Sequence, residues 1–198
     1  MTDDRYTSAV AAIDAANADD PHTIVVDGQV RPKEQAHAEM MTAWVERLDP
    51  TATDAQLLAA RAHHLRRWVV AREEYAEGRA GYLRWRADAK RRHADEVATI
   101  LEHCGYDADT IGRVQQIVRK EGLRNDPAVQ THEDALCLVF LQTQLGELAD
   151  QLGRDKGSEV LRKTLAKMSE PGRRQARDLH LDEAERALVV AALEEVDG

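Results

Sequence analysis

Apolar residues recur every three or four positions through most of this chain, which is the spacing that places them on one face of an α-helix. The pattern is clearest from position 33 onward. It predicts helices over 5–18, 33–48, 54–68, 79–103, 107–121, 128–151, 158–167 and 182–195. The exception is a short extended piece at Thr23–Val26, followed by a turn at Asp27-Gly28. The sequence therefore predicts an all-α fold with at most one pair of short strands near 23–30.

The length of 198 residues suits one domain with one core. We expect a single-domain helical bundle over 1–198, with a core of about 33–150 and C-terminal helices at 157–198 that pack on it. Pro171-Gly172 is expected to separate the last two helices. Aromatic residues are only 4% of the chain, so aliphatic side chains must fill the interior.

Charge, hydropathy and cysteine content limit the classes of partner and the cellular compartment that we expect. The formal net charge of −9 repels phosphate backbones, so a nucleic-acid partner is unlikely. No apolar run reaches membrane-spanning length, so no membrane partner is expected. Cys104 and Cys137 form no disulfide framework, and we expect both to be reduced in a cytoplasmic protein. The oligomeric state is open, with a homodimer as one option.

Four ionisable residues on four predicted helices share the phase of the apolar face. They are His37, His64, His93 and Asp134. Burying such groups is costly unless they are paired or bind a metal. Imidazoles and a carboxylate suit one divalent transition metal, namely Mn, Fe, Co, Ni or Zn. The alternative is that each histidine is a hydrogen-bonded core residue and that Asp134 favours the helix dipole.

Other residues complete this predicted centre. Glu133 is the candidate general base, and His63 is expected to support the ligands from behind. The remaining histidines, His132 among them, lack a comparable context.

The predicted helix at 79–103 carries a second group of candidate functional residues, most of which are basic. Arg79, Tyr82, Arg86 and Lys90 fall within about one third of its circumference, and beyond His93 the same face becomes apolar. Buried cations need anionic partners, and a phosphate would supply one. Arg66 is expected to extend this substrate-binding site, and Arg67 and Arg72 either extend it too or belong to the edge of a solvated loop. The alternative is internal ion pairing with nearby carboxylates such as Glu73, Glu74, Asp88 and Glu133.

The order of these residues resembles the HD-domain superfamily of metal-dependent phosphohydrolases, which places a His, a His-Asp pair and a distant Asp on successive helices. The matching positions here are His37, His63-His64 and Asp134. His93 resembles an additional His found in several subfamilies. The Asp of the pair is His64 in this chain, which leaves a one-metal site or a site without metal.

A closer likeness covers nearly the whole chain. The segments ARAHHLRRW, GRAGYLRWR, KRRHADEVATIL and QTHEDALCLVFL resemble a bacterial and fungal family, domain-of-unknown-function family four-two-zero-two. This resemblance implies no particular activity.

These observations favour an HD-like metal-dependent hydrolase that acts on a phosphorylated small molecule or nucleotide. A metal-free module that binds an anion or nucleotide on the same scaffold is the first alternative. An iron-dependent oxidative enzyme is the second.

Overall fold

The computed structural model describes residues 4–26 and 28–198, without the side chains of residues 147–156. Its helices are α1 (Asp4–Ala18), α2 (Lys33–Leu48), α3 (Asp54–Arg61), α4 (Gly78–His103), α5 (Ala108–Arg119), α6 (Pro127–Leu165), α7 (Glu170–Arg177) and α8 (Glu183–Asp197). Two 3₁₀ turns lie at Arg67–Val69 and Arg72–Glu74. The predicted all-α class is confirmed. No helix in the described ranges combines the length and the apolar character that crossing a membrane requires.

The predicted pair of strands also forms. Strands β1 (Thr23–Val26) and β2 (Gln29–Pro32) pair antiparallel, with Val25 opposite Val30. Gly28 has φ +75° and supplies the left-handed backbone that the connection needs. The other half of the predicted turn, Asp27, lies outside the described residues.

The third helix is shorter than predicted, because it ends at Arg61 and not near position 68. The chain then turns, and Arg66 adopts a left-handed conformation with φ 49°. Tertiary hydrogen bonds replace the missing helical ones. The Arg66 N–H donates to the side-chain oxygen of Asn17 at 3.0 Å, and Arg92 donates to the Arg66 carbonyl at 3.0 Å.

The sixth and seventh predicted helices are one helix, α6, of 39 residues. The helix continues through Gly153 and Gly157, because glycine lowers helix propensity by only about 1 kcal/mol. The helix therefore crosses the boundary that the sequence indicated between the core and the C-terminal helices. Helices α2, α7 and α8 all pack against it.

The break predicted at Pro171-Gly172 is also wrong. Both residues lie in the first turn of α7, where proline needs no hydrogen-bond partner for its nitrogen. Ser169 is the N-cap, and its hydroxyl accepts a hydrogen bond from the Gly172 N–H at 3.2 Å.

Two clusters of buried apolar side chains form the core. One contains residues from α2 and α6–α8, such as Met41 and Leu138. The other contains residues from α1 and α3–α5, such as Ile13 and Leu101. Leu136 packs against the first cluster and Val118 belongs to the second, and both line the cavity described below. That cavity therefore lies where the two clusters meet.

Asp134 joins α6 to the start of α7. One carboxylate oxygen accepts hydrogen bonds from the Ser169 N–H and the Gln130 side chain, each at 2.9 Å. The other oxygen accepts from the Ser169 hydroxyl. Gly172 packs directly against this carboxylate.

Replacing Gly172 by Ala should destabilise the protein. The added Cβ would lie 2.7 Å from Cγ and 2.9 Å from Oδ2 of Asp134, which is too close for either group. Overpacking of this kind costs about 1–3 kcal/mol of unfolding free energy. Urea unfolding would measure it. Gly112→Ala on α5 is the matched control, because nothing lies within 4 Å of its Cβ position, and it should stabilise the protein. Equal stability of the two variants would contradict this packing.

Candidate functional site

Five histidines from four parts of the fold converge on one region. His37 lies on α2, His63 and His64 on the turn after α3, His93 on α4 and His132 on α6. The ring centroids of His63 lie 4.0 Å from His64 and 4.8 Å from His132, and those of His64 and His93 are 5.9 Å apart. All except His64 are buried, and the side chain of His64 is 22% exposed.

Glu34, His37 and His64 form the part of this region that best resembles a metal site. One donor atom from each lies within 4.8 Å of the others. The Glu34 Oε2 atom lies 3.2 Å from Nδ1 of His64 and 3.6 Å from Nδ1 of His37. Ligand bonds of roughly 2.0–2.1 Å in a tetrahedral site separate donor atoms by about 3.3–3.4 Å. The separations of 3.2 and 3.6 Å are close to this value, so Glu34, His37 and His64 are residues that could hold one transition-metal ion.

The hydrogen bonds of the imidazoles define some of their protonation. The His93 Nδ1–H donates to the Leu65 carbonyl at 2.7 Å, so Nε2 carries the lone pair. Arg67 donates to Nε2 of His64 at 2.7 Å, so the His64 Nδ1–H donates to Glu34. His63 Nδ1 and His132 Nε2 share a hydrogen bond of 2.8 Å.

Several imidazole nitrogens in this region are buried without a hydrogen-bond partner within the described ranges. Among the described residues, Nε2 of His37, His63 and His93 and Nδ1 of His132 have no hydrogen-bond partner. Unpartnered buried polar atoms are costly, which makes them markers of a ligand site.

The imidazoles of His63, His64, His93 and His132 are neutral near pH 7. Burial, followed by the neighbouring cations, lowers the pKa of His93 to about 4 and that of His132 to about 3. Burial also holds the pKa of His63 and of His64 well below the usual value. Neutral rings keep the lone pairs that metal or proton binding requires.

A buried ion pair lies beside the rings. The Lys120 ammonium contacts the Glu133 carboxylate at 2.5 Å, and both side chains are 6% exposed. Lys120 follows the end of α5 and has φ 61°, a left-handed conformation that non-glycine residues rarely adopt. Strained backbone of this kind is often found at functional sites.

Three further cations face the same region without such a partner. Within the described part of the chain, Arg67, Arg86 and Lys90 form no ion pair with a carboxylate. Arg67 stacks over Trp85 at 4.8 Å and Arg86 over Tyr82 at 5.6 Å. Burial lowers the pKa of Lys90 to about 8, with smaller contributions from the charges of Lys120 and Arg86.

These groups enclose a cavity of about 50 Å³. Its lining consists of His63, His64, Arg67, Trp85, Arg86, Ala89, Lys90, His93, Val118, Lys120 and Leu136. Arg67 and Trp85 also line a neighbouring cleft of about 230 Å³, which includes Glu34. The cavity thus combines neutral imidazoles with four basic side chains.

The predicted metal ligands are only partly brought together. His37 and His64 join Glu34, and His93 lies beside His64. Asp134 lies elsewhere, because its carboxylate is held by Ser169 and Gln130 at the start of α7. No group of three possible ligands that includes Asp134 is found among the described residues.

Glu133, predicted as a general base, is engaged by Lys120 and does not line the cavity. His63, predicted to support the ligands, lines the cavity itself and is backed by His132.

The predicted anion-binding face divides in two. Arg86 and Lys90 line the cavity, together with His64 and His93. Arg79 lies two turns and Tyr82 one turn before Arg86 on α4; both are exposed, and neither lines this cavity. Arg66 is exposed too, and its guanidinium lies 4.0 Å from Glu96.

Sequence reasoning missed Glu34, Lys120 and His132, and it offered Arg67 only as an extension of the anion site or as part of a solvated loop edge. Glu34 had a signal, because it precedes His37 by three positions and therefore shares its helical face. His132 also had a signal in the sequence, because it lies one residue before Glu133, which was predicted as a site residue. Arg67 and Lys120 lie in turns, where helical periodicity gives no information.

The fold and site thus define an all-α protein with a buried cluster of imidazoles beside a basic cavity. A family model for a domain of unknown function, DUF4202, matches residues 7–189, and the chain belongs to that family. Comparison with curated proteins and with solved structures finds no match.

Acid should destabilise this protein between about pH 6.5 and 4. The pKa values of His93 and His132, about 4 and about 3, lie below the unfolded value of 6.5, so the unfolded chain binds more protons in this window. The stability is fully present above pH 6.5 and is lost as the pH falls, by up to about 1.4 kcal/mol per pH unit for each histidine.

Urea unfolding at a series of pH values, with a chelator present, would measure this loss. His132→Gln should make the pH dependence shallower by about one proton. The control His103→Gln alters an exposed ring and should leave the slope unchanged. A flat profile from pH 6.5 to 4.5 would show that the rings are not buried in this way.

Proposed function

We propose that this protein is a metal-dependent hydrolase that acts on a phosphorylated small molecule, with the phosphate group bound in the basic cavity. The observation that carries the proposal is the convergence of Arg67, Arg86 and Lys90 on a cavity walled by neutral imidazoles. No described carboxylate pairs with these three cations.

The argument for an anion is electrostatic. Partly buried charges lose solvation, and a partner must replace it. Lys120 has its partner in Glu133, and the charge of Glu34 offsets part of that of Arg67, but Arg86 and Lys90 leave an excess of positive charge. A phosphoryl group supplies oxygen acceptors for forked arginine donors and for an ammonium. The small volume favours a phosphoryl group on a small molecule over a nucleic-acid backbone.

The donor set for a metal is Glu34, His37 and His64, whose spacing fits one ion. When bound, a divalent metal polarises a phosphoryl oxygen and lowers the pKa of a coordinated water. Zn, Mn, Fe, Co and Ni all accept this mixture of nitrogen and oxygen ligands.

The side chains of the chain would orient the substrate. Arg67 and Arg86 hold the phosphoryl oxygens and stabilise the charge that develops on them during transfer, and Lys90 lies beside them in the same lining. Arg67 lies between the cavity and the neighbouring cleft, so the rest of the substrate would extend past it. The Lys120 ammonium lies in the inner wall of the cavity, and because Glu133 balances its charge it needs no ligand.

A second candidate function is metal-free binding of a phosphorylated ligand. It is favoured by the hydrogen bonds of His64, whose two nitrogens are already satisfied by Arg67 and Glu34. A ring that is satisfied on both sides needs no ion to explain its burial.

Inorganic phosphate should raise the melting temperature, and Arg86→Ala should abolish the rise. At a phosphate concentration about 100 times its dissociation constant, linkage gives about 2.7 kcal/mol, or roughly 5–10 °C for a domain of this size. Differential scanning calorimetry in a phosphate-free buffer would measure it. Arg91→Ala is the control, since Arg91 is on the same helix but its side chain is 68% exposed. If phosphate raised the melting temperature of both variants equally, the cavity would not be the phosphate site.

Metal content separates the two candidate functions. Protein equilibrated with Mn²⁺ or Zn²⁺ and then desalted should retain about one ion per chain, and Glu34→Gln and His64→Ala should lose it. His103→Ala should retain it. Phosphate release from a panel of phosphorylated small molecules should then require the ion. Retention of phosphate binding without any bound metal would support the binding module.

A further inference from the structure

We infer that Lys90 is an amine that forms an imine, and that the cavity therefore takes a phosphorylated aldehyde or ketone. The inference rests on the proposed phosphate binding at this cavity. It deepens that proposal by naming the carbonyl group as the second feature of the ligand.

Lys90 is well placed to meet a bound ligand. It lines the cavity, and it lies one helical turn after Arg86 and three positions before His93, so all three share a face of α4. Its side chain is half-buried, and no described carboxylate forms an ion pair with it. A ligand whose phosphate contacts Arg86 would bring its neighbouring carbons near the Lys90 amine.

The two lysines that line the cavity, Lys90 and Lys120, differ in their contacts with carboxylates. Burial lowers the pKa of Lys120, but the Glu133 carboxylate that contacts its ammonium acts in the opposite direction and holds the side chain in place. Lys90 has no such partner, and burial together with the charges of Lys120 and Arg86 lowers its pKa to about 8. Glu133 acts in the opposite direction and Lys167 in the same direction, but both effects are smaller. A desolvated lysine next to another cation is a known way to obtain a nucleophilic amine near neutral pH.

The reaction balances without an oxidant or a reductant. The neutral amine of Lys90 attacks the carbonyl carbon and a carbon–nitrogen bond forms. The two protons of the amine leave with the carbonyl oxygen as one water molecule, which gives the imine. Cyanoborohydride adds a hydride to the imine carbon and converts the adduct into a stable secondary amine.

Reductive trapping tests this inference. The protein would be incubated at pH 7.5 with glycolaldehyde phosphate and cyanoborohydride, digested, and analysed by mass spectrometry. Lys90 should be modified at least ten times faster than Lys163, whose side chain is 61% exposed. Unphosphorylated glycolaldehyde should show a much smaller preference for Lys90, and excess inorganic phosphate should protect it. Lys90→Arg should lose the adduct while phosphate still raises its melting temperature.

The outcomes separate this inference from the proposed function. If Lys90 reacts no faster than Lys163 while phosphate still binds through Arg86, the inference is wrong and the phosphate site stands. If Lys90 reacts equally fast with both aldehydes and phosphate gives no protection, the phosphorylated class is wrong, and the proposed phosphate site falls with it.

Discussion

The ion pair between Lys120 and Glu133 is the interaction on which the candidate site depends. It joins the residue after α5 to the second turn of α6 in the interior of the protein. Removing one partner of a buried pair leaves an uncompensated charge, at a cost of about 3–5 kcal/mol. Because Glu133 neutralises Lys120 at close range, the cavity can hold a fixed ammonium without a ligand.

The charge of Lys120 also acts on its neighbours. It contributes to the lowered pKa of His63, His64 and His132, and to that of Lys90. Desolvation is the larger cause in each case. The two effects together keep the rings neutral and leave the amine of Lys90 close to half-protonated at pH 8. One arrangement therefore sets the charge state of both the imidazoles and the Lys90 amine around the cavity.

The local structure that makes this possible is the turn after α3. If α3 had continued to position 68, His63, His64 and Arg67 would have remained on a helical surface. Instead the helix stops at Arg61, and Arg66 takes a left-handed conformation held by Asn17 and Arg92. Adjacent histidines then face two different partners, Glu34 and His132.

Helical phase was sufficient to place His37 and His93 facing inward, because apolar neighbours mark the buried side of a helix. His64 reaches the site through the turn after α3, which helical phase did not predict. Helical phase also placed Arg86 and Lys90 on an inward face, but it could not show that Arg79 and Tyr82 lie beyond the edge of the core. Asp134 lies on the inward face of its helix, where a metal ligand would also lie. Only its hydrogen bond with Ser169, 35 residues later, shows its structural role. Lys120 could not be found from periodicity, because its position depends on one left-handed residue.

The central claim is that the excess positive charge of the cavity is there to bind a tetrahedral oxyanion. A crystal soaked in arsenate and measured at the arsenic absorption edge tests it most directly. The account predicts an anomalous peak in the cavity within hydrogen-bonding distance of Arg86 and Lys90. An empty cavity with arsenate only on exposed residues, or a carboxylate turned inward to neutralise Arg86 and Lys90, would contradict it.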